Sequence, residues 1–212
     1  MRIVLPEKGT VPITGDEDPL IYYYLPLVSH FYRMRLKMPI NLLQGRRFRR
    51  LLDIGYGSGI FYLELARHAG ELYGVDIHTQ TEEVTHALKK FGLDVMLETG
   101  DILDLPYPNE RFDAIVCVSV MEHIRQLDRA VREMKRILTK DGLMVFGFPV
   151  RNRFTSSFYA SVGFDYQSHH PSDHRSILRA LEQQLVIDRC ITYPEMAPMD
   201  LALYVSCSCS RK

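Results

Sequence analysis

The chain has no excess of charge, no long apolar run and few cysteines. Its 212 residues hold 26 Lys and Arg against 26 Asp and Glu, a formal net charge of zero. A protein that tracks nucleic acid carries a basic excess, so no nucleic-acid partner is expected. No segment reaches the roughly 20 apolar residues of a membrane span, and the N-terminus lacks the apolar core of a signal peptide. The four cysteines, Cys117, Cys190, Cys207 and Cys209, are scattered through apolar runs with no His/Cys cluster of zinc spacing. They read as inert thiols of a reducing cytoplasm, and no metal site is expected. Internal repeats and low-complexity tracts are also missing.

One further absence is local. Residues 19–50 contain no acid, but they hold Arg33, Arg35, Lys37, Arg46, Arg47, Arg49 and Arg50, and aromatics at Tyr22, Tyr23, Tyr24, Phe31 and Tyr32. The remainder is left with 19 basic against 26 acidic residues. Two readings follow from that asymmetry. One is a cap helix with an apolar face on the domain and a solvated basic face; the other is contact with an anionic partner or a peripheral membrane surface. Pro26 and Pro39 argue against a long helix here. Residues 1–18 are a polar lead-in, expected to be extended or partly disordered.

From residue 50 strands and helices alternate. Strands are expected at Arg50–Ile54, Glu71–Ile77, Asp94–Glu98, Phe112–Val118 and Leu143–Phe148. The fourth is nearly all apolar, as a strand covered on both faces must be. Between them, Phe61, Tyr62, Leu65, Ala66 and Ala69 fall at helical spacing, as do Val84, Leu88 and Phe91 after a capping box of Thr79 and Glu82. The best helical stripe is Leu127, Ala130, Val131, Met134, Ile137 and Leu138. A last helix, capped by Ser172, would bury Ile177, Leu178, Leu181 and Leu185. Two terminal strands, Val186–Tyr193 and Leu201–Cys209, close the chain across a Pro-containing turn.

The first strand runs into Asp53-Ile54-Gly55-Tyr56-Gly57-Ser58-Gly59. Glycines at every second position suit a tight turn where the backbone needs positive φ or close approach to a ligand. A strand, such a turn and a helix start together accommodate a nucleotide-like ligand. The dinucleotide fingerprint is spaced G-x-G-x-x-G, and this turn does not match it. The turn resembles motif I of the class I S-adenosylmethionine (SAM) dependent methyltransferases. Further along, Asp76 closes the second strand, Gly100-Asp101-Ile102 follows the third, and Ser119-Val120-Met121-Glu122-His123-Ile124 follows the fourth. The last is similar to the S-x-x-E-H-[IV] segment of the type 11 subgroup. The resemblance covers about residues 50–150 and fades beyond, where substrate choice would reside. Tyr56 departs from it, filling a slot the family gives to Cys, Ala or a small residue.

The resemblance implies an α/β, Rossmann-like methyltransferase fold, a seven-stranded mostly parallel sheet of order 3-2-1-4-5-7-6 with helices on both faces. It implies a SAM-binding domain over 50–212, with residues 1–49 as an N-terminal extension and cap helix. Its SAM-binding residues would be Asp53, Gly55, Gly57, Gly59, Asp76, Ile77, Asp101, Ile102 and Ser119. Asp76 suits the ribose hydroxyls, and Ile77 an adenine face. Asp101 suits the adenine amine, with a backbone N–H from Ile102, and Asp53 the ligand's ammonium group. Methyl transfer is a direct displacement that needs alignment first and a base only for a protonated nucleophile. His123 is the candidate base, with His169, His170 and His174 as others. The acceptor is expected to be a small, apolar or lipid-like molecule. Phe154, Phe158, Tyr159, Phe164 and Tyr166, on a long connection, are candidates for its wall. Two other readings are a nicotinamide-dependent oxidoreductase and a SAM-binding protein without catalysis.

Overall fold

The computed structural model describes residues 3–15, 18–26, 28–152 and 170–212. Seven strands form one sheet: β1 (Phe48–Ile54), β2 (Ala69–Asp76), β3 (Val95–Thr99), β4 (Phe112–Val118), β5 (Leu138–Pro149), β6 (Leu185–Tyr193) and β7 (Tyr204–Arg211). Their order is β3-β2-β1-β4-β5-β7-β6, as expected. The first five run parallel, and β7 lies antiparallel between β5 and β6. Among the described residues the helices are α1 (Ser29–Leu43), α2 (Tyr62–Leu65), α3 (Thr81–Lys89), α4 (Leu127–Ile137) and α5 (His174–Gln184). Short 3-10 turns occupy Pro19–Tyr23, Met121–His123 and Met199–Leu201.

Alternation along the central strands sends successive side chains to opposite faces. Leu52, Ile115, Cys117, Met144 and Phe146 face one core, closed by Ala130, Val131, Met134 and Ile137 of α4 and Ile177 and Leu181 of α5. Leu51, Ala114, Val116, Leu143 and Val145 face the other, closed by Leu36, Ile40 and Leu43 of α1 and Val84, Ala87 and Leu88 of α3. Each fully buried Leu, Ile or Val contributes about 1.5–3 kcal/mol, and both layers depend on it.

Several local expectations fail for identifiable reasons. The lead-in is partly packed, with Ile3 and Val11 in the second core. Helix α1 runs through Pro39. An interior proline costs ~3 kcal/mol, and the buried Leu36, Ile40 and Leu43 on the same helix outweigh it. The helix after the glycines is one short turn, because Ala69 pairs with Phe48 and starts β2 instead. Gln80, not Thr79, precedes α3, and no side chain caps it. Leu138 opens β5 rather than ending α4. Asp173 caps α5 in a reciprocal box with Ser176, while the Ser172 hydroxyl donates to the Ile124 carbonyl at 2.5 Å.

The thiol reading also needs correction. Cys190 of β6 lies opposite Cys207 of β7 in register, and the two form a disulfide. A 17-residue separation hides a pairing that only the hairpin register creates. Cys117 and Cys209 are free and buried, and burial pushes the Cys209 thiol up to about 12. Among the described residues no helix is long and apolar enough to cross a membrane.

Candidate active site

In an open parallel sheet, ligands lie beyond the carboxyl ends of the strands where strand order reverses. Here that point lies between β1 and β4, which run side by side while their successors go opposite ways. Backbone bonds tie the strand ends together. The Gly55 N–H donates to Val75 at 2.8 Å, the Gly100 N–H to Asp76 at 2.8 Å and the Ser119 N–H to Gly147 at 2.6 Å. The groups expected at the site are therefore brought to one edge of the sheet.

The glycine turn is built as the spacing requires. Gly55, Gly57 and Gly59 have φ of 77°, 48° and 76°. A Cβ on Gly55 would also stand 2.2 Å from Cγ2 of Val120, so the turn lies directly against the segment after β4. At Gly57 the nearest atom to such a Cβ is the Thr14 hydroxyl at 3.8 Å. The lead-in thus passes over the turn, an arrangement no pattern in its sequence announces.

The Asp76 carboxylate accepts from the Gly57 N–H at 2.8 Å, the Ile77 N–H at 2.7 Å and the His78 N–H at 3.4 Å. His78 Nε2 lies 3.1 Å from the Gly57 carbonyl. Ile77 is 78% exposed, an apolar side chain offered to solvent beside that carboxylate. It lies just beyond β2, not within it. Asp101 is exposed and accepts from the Leu103 N–H at 2.9 Å, while the Ile102 side chain turns into the core. Asp53 is buried, and burial, reinforced by the nearby Asp76, raises its carboxyl well above the usual range.

Tyr56 does not fill the turn. Its ring is buried in the second core, packs edge-on to His78 at 4.8 Å and places its hydroxyl 3.5 Å from the Thr81 hydroxyl. Space for it comes from Gly74, where a Cβ would stand 2.8 Å from the Tyr56 ring and 2.1 Å from the Tyr62 hydroxyl. Gly74, directly opposite Asp53 in the sheet, was the missing signal.

After β4, Ser119 adopts φ of 59° and its hydroxyl lies 2.8 Å from that of Tyr204 on β7. Arg35 of α1 donates to the same hydroxyl, and its guanidinium lies over the rings of Tyr32 and Tyr204. Arg33 reaches the Tyr23 carbonyl at 3.4 Å. The contacts of Arg35 and Tyr204 with Ser119 were not legible, since both come from far away in sequence. The four basic residues Arg46, Arg47, Arg49 and Arg50 instead flank the start of β1, at the opposite end of the sheet.

The Glu-His pair divides between inside and outside. His123 is exposed, with its ring 4.8 Å from that of His170. Glu122 is 3% exposed, and burial raises its carboxyl to about 7, held back by its backbone bond and by Arg35. His174 is buried on α5 and its Nδ1 accepts from the Arg151 N–H at 3.1 Å. Phe154, Phe158, Tyr159, Phe164, Tyr166 and His169 lie outside the described residues.

The family model described as a methyltransferase domain, of type 11, matches residues 52–146. A demethylmenaquinone methyltransferase of Deinococcus radiodurans is 36% identical over 107 residues, 48% of this chain and 44% of that one. A ubiquinone biosynthesis O-methyltransferase of Alkalilimnicola ehrlichii is 30% identical over 136 residues, 63% of this chain and 54% of that one. The chain thus spans about half the length of these curated relatives. A solved geranyl diphosphate C-methyltransferase of Streptomyces coelicolor A3(2) shares the fold with a TM-score of 0.71 at 17% identity, over 94% of this chain and 85% of that one. The central stretch, residues 52–146, is thus a methyltransferase domain with class I SAM-dependent methyltransferase homologues, set in a sheet of order β3-β2-β1-β4-β5-β7-β6.

Proposed function

We propose that the chain binds SAM at the carboxyl edge of β1, β2 and β3 and transfers its methyl group to a small, apolar acceptor. The observation that carries this reading is the Asp76 carboxylate joined to the Gly57 N–H beside a buried Asp53. In that reading Gly55, Gly57 and Gly59 let the backbone approach the ligand, and Asp76 takes the ribose hydroxyls. Ile77 covers the adenine, Asp101 and Ile102 meet its polar edge, and Asp53 faces the ammonium group. Ser119 borders the transferring methyl.

The acceptor would enter over β4, β5 and β7. Supporting this, Phe31 lies 6.3 Å from Tyr204 and 6.1 Å from Tyr193, ring centre to ring centre, so α1 brings aromatic surface to the mouth. Relatives named for quinone biosynthesis and a fold neighbour complexed with a prenyl diphosphate are in keeping with an apolar acceptor. Residues 1–49 would act as the cap. A membrane contact through 19–50 would be split, because its basic residues are divided between the two ends of the sheet.

SAM chemistry supplies the electrophilic methyl, and the protein aligns and desolvates it. Calorimetry with SAM, S-adenosylhomocysteine and NAD tests the reading. Binding of the first two without the third is expected, followed by S-adenosylhomocysteine release when hydroxylated quinone precursors are supplied. Heat from NAD alone would sink it.

A further inference from the structure

We propose that Glu122, His123 and His170 form a binding site for a divalent transition-metal ion. Each offers one ligand atom, a carboxylate oxygen or a ring nitrogen, and the three atoms lie within 4.8 Å of one another. Two donors on a tetrahedral ion with bonds of 2.0–2.1 Å are about 3.4 Å apart, so the cluster closes onto an ion by side-chain adjustment of no more than ~1.4 Å.

A second observation points the same way. Glu122 is 3% exposed, and among the described residues its Oε2 is buried without a hydrogen-bond partner. A buried carboxylate oxygen left unsatisfied is costly, and buried charges are normally paired or coordinated to metal. An ion bound through that oxygen would remove that cost.

The ligands come from two segments that the backbone already joins. Glu122 and His123 stand on the 3-10 turn after β4, fixed by the His123 N–H donating to Val120 at 2.9 Å. His170 lies two residues before Ser172, whose N–H donates to the Glu122 carbonyl at 3.1 Å and whose hydroxyl donates to Ile124 at 2.5 Å. Ser172 in turn leads straight into the capping box of α5. The donors are thus held near one another by main-chain bonds before any ion arrives.

Two imidazoles and one carboxylate favour the zinc, cobalt, iron and manganese class over magnesium or calcium, which prefer all-oxygen sets. Three protein ligands leave a coordination position open for water or for an oxygen of the acceptor. The assignment is independent of whether SAM binds, because none of the three ligands is in the proposed cofactor cradle.

The test uses the full chain after dialysis against a chelator, without SAM. Calorimetry with Zn2+ and visible spectra with Co2+ should give one ion per chain. His170→Ala and Glu122→Gln should each weaken binding at least as much as loss of an outer partner does, about 10- to 100-fold. Circular dichroism checks that the variants fold, and SAM affinity of His170→Ala should stay at the parent value. Stoichiometric binding unchanged in both variants would place the ion elsewhere and overturn the assignment. So would the absence of stoichiometric binding in the parent chain.

Discussion

The Asp76 carboxylate accepts the Gly57 N–H at 2.8 Å, so the acid at the end of β2 closes the glycine turn at the end of β1. The same oxygen pair also receives the Ile77 N–H. Asp76 therefore serves the apo turn and, in the proposed complex, the ribose. A hydrogen bond to a charged group contributes roughly 1.5–3 kcal/mol. Asp76→Ala should weaken SAM about tenfold to a hundredfold by calorimetry and lower the denaturation midpoint as well. Unchanged affinity would remove Asp76 from the site.

Asp53 yields a pH prediction with a definite sign. Its folded carboxyl titrates above the unfolded one because burial and Asp76 disfavour the charge. The native state then holds the proton longer, so stability is greatest below the ordinary carboxylate pKa and is lost as pH rises through the raised one. Asp53→Asn should stabilise the apo chain at neutral pH and flatten that loss. A cationic ligand group beside Asp53 reverses the preference, so SAM affinity should rise with pH in the parent and not in Asp53→Asn. Parallel pH profiles for the two proteins would contradict this.

Gly55 and Val120 provide a paired test. A Cβ at Gly55 meets Val120 Cγ2 at 2.2 Å, in addition to its φ of 77°. Gly55→Ala should destabilise by more than the roughly 1–2 kcal/mol expected of left-handed φ alone. Adding Val120→Ala should restore the steric part and leave the backbone part. Denaturation of the two singles and the double measures the coupling.

Gly57→Val shares the strain of a positive φ, 48°, but differs in space, since among the described residues only Thr14 Oγ1 at 3.8 Å lies near that position. Loss of SAM binding should exceed loss of fold, and equilibrium dialysis beside thermal melting separates the two. A melt that collapses while binding persists would assign Gly57 to structure alone.

Tyr204→Phe should leave the Ser119 hydroxyl with Arg35 only. A single neutral hydrogen bond contributes about 0.5–1.5 kcal/mol, so chemical denaturation should show a loss of that size. Arg35→Ala removes the contact from α1 and should speed hydrogen exchange across Ser29–Leu43. Exchange at the parent rate would mean that apolar packing alone holds the helix.

The glycine turn and the acids at the strand ends were legible because each is written in a short stretch, and the strand order followed from the family those stretches resemble. Leu51 to Gly59 carries both the apolar run and the turn, and Phe112–Val118 is recognisable by composition alone. What escaped depends on distant partners. Arg35 looked like one of seven equivalent basic residues until α1 carried it to Ser119. Tyr56 looked like an obstruction until Gly74 made room for its ring on the far side of the strand. Cys190 and Cys207 became a pair only through register. The Ala69 error is of another kind, a helical spacing that strand pairing overrode.

The position of Arg46 and Arg47 has a consequence for handling the molecule. They line a surface groove with Phe48, Asp113 and Lys140, at the foot of β1. Seven residues of strand at about 3.3 Å each separate that foot from the glycine turn. A tether, a fluorophore or an affinity bead attached at the foot therefore leaves the opposite rim facing bulk solvent. The molecule has a heel and a mouth, and it can be moored by the first while the second is watched.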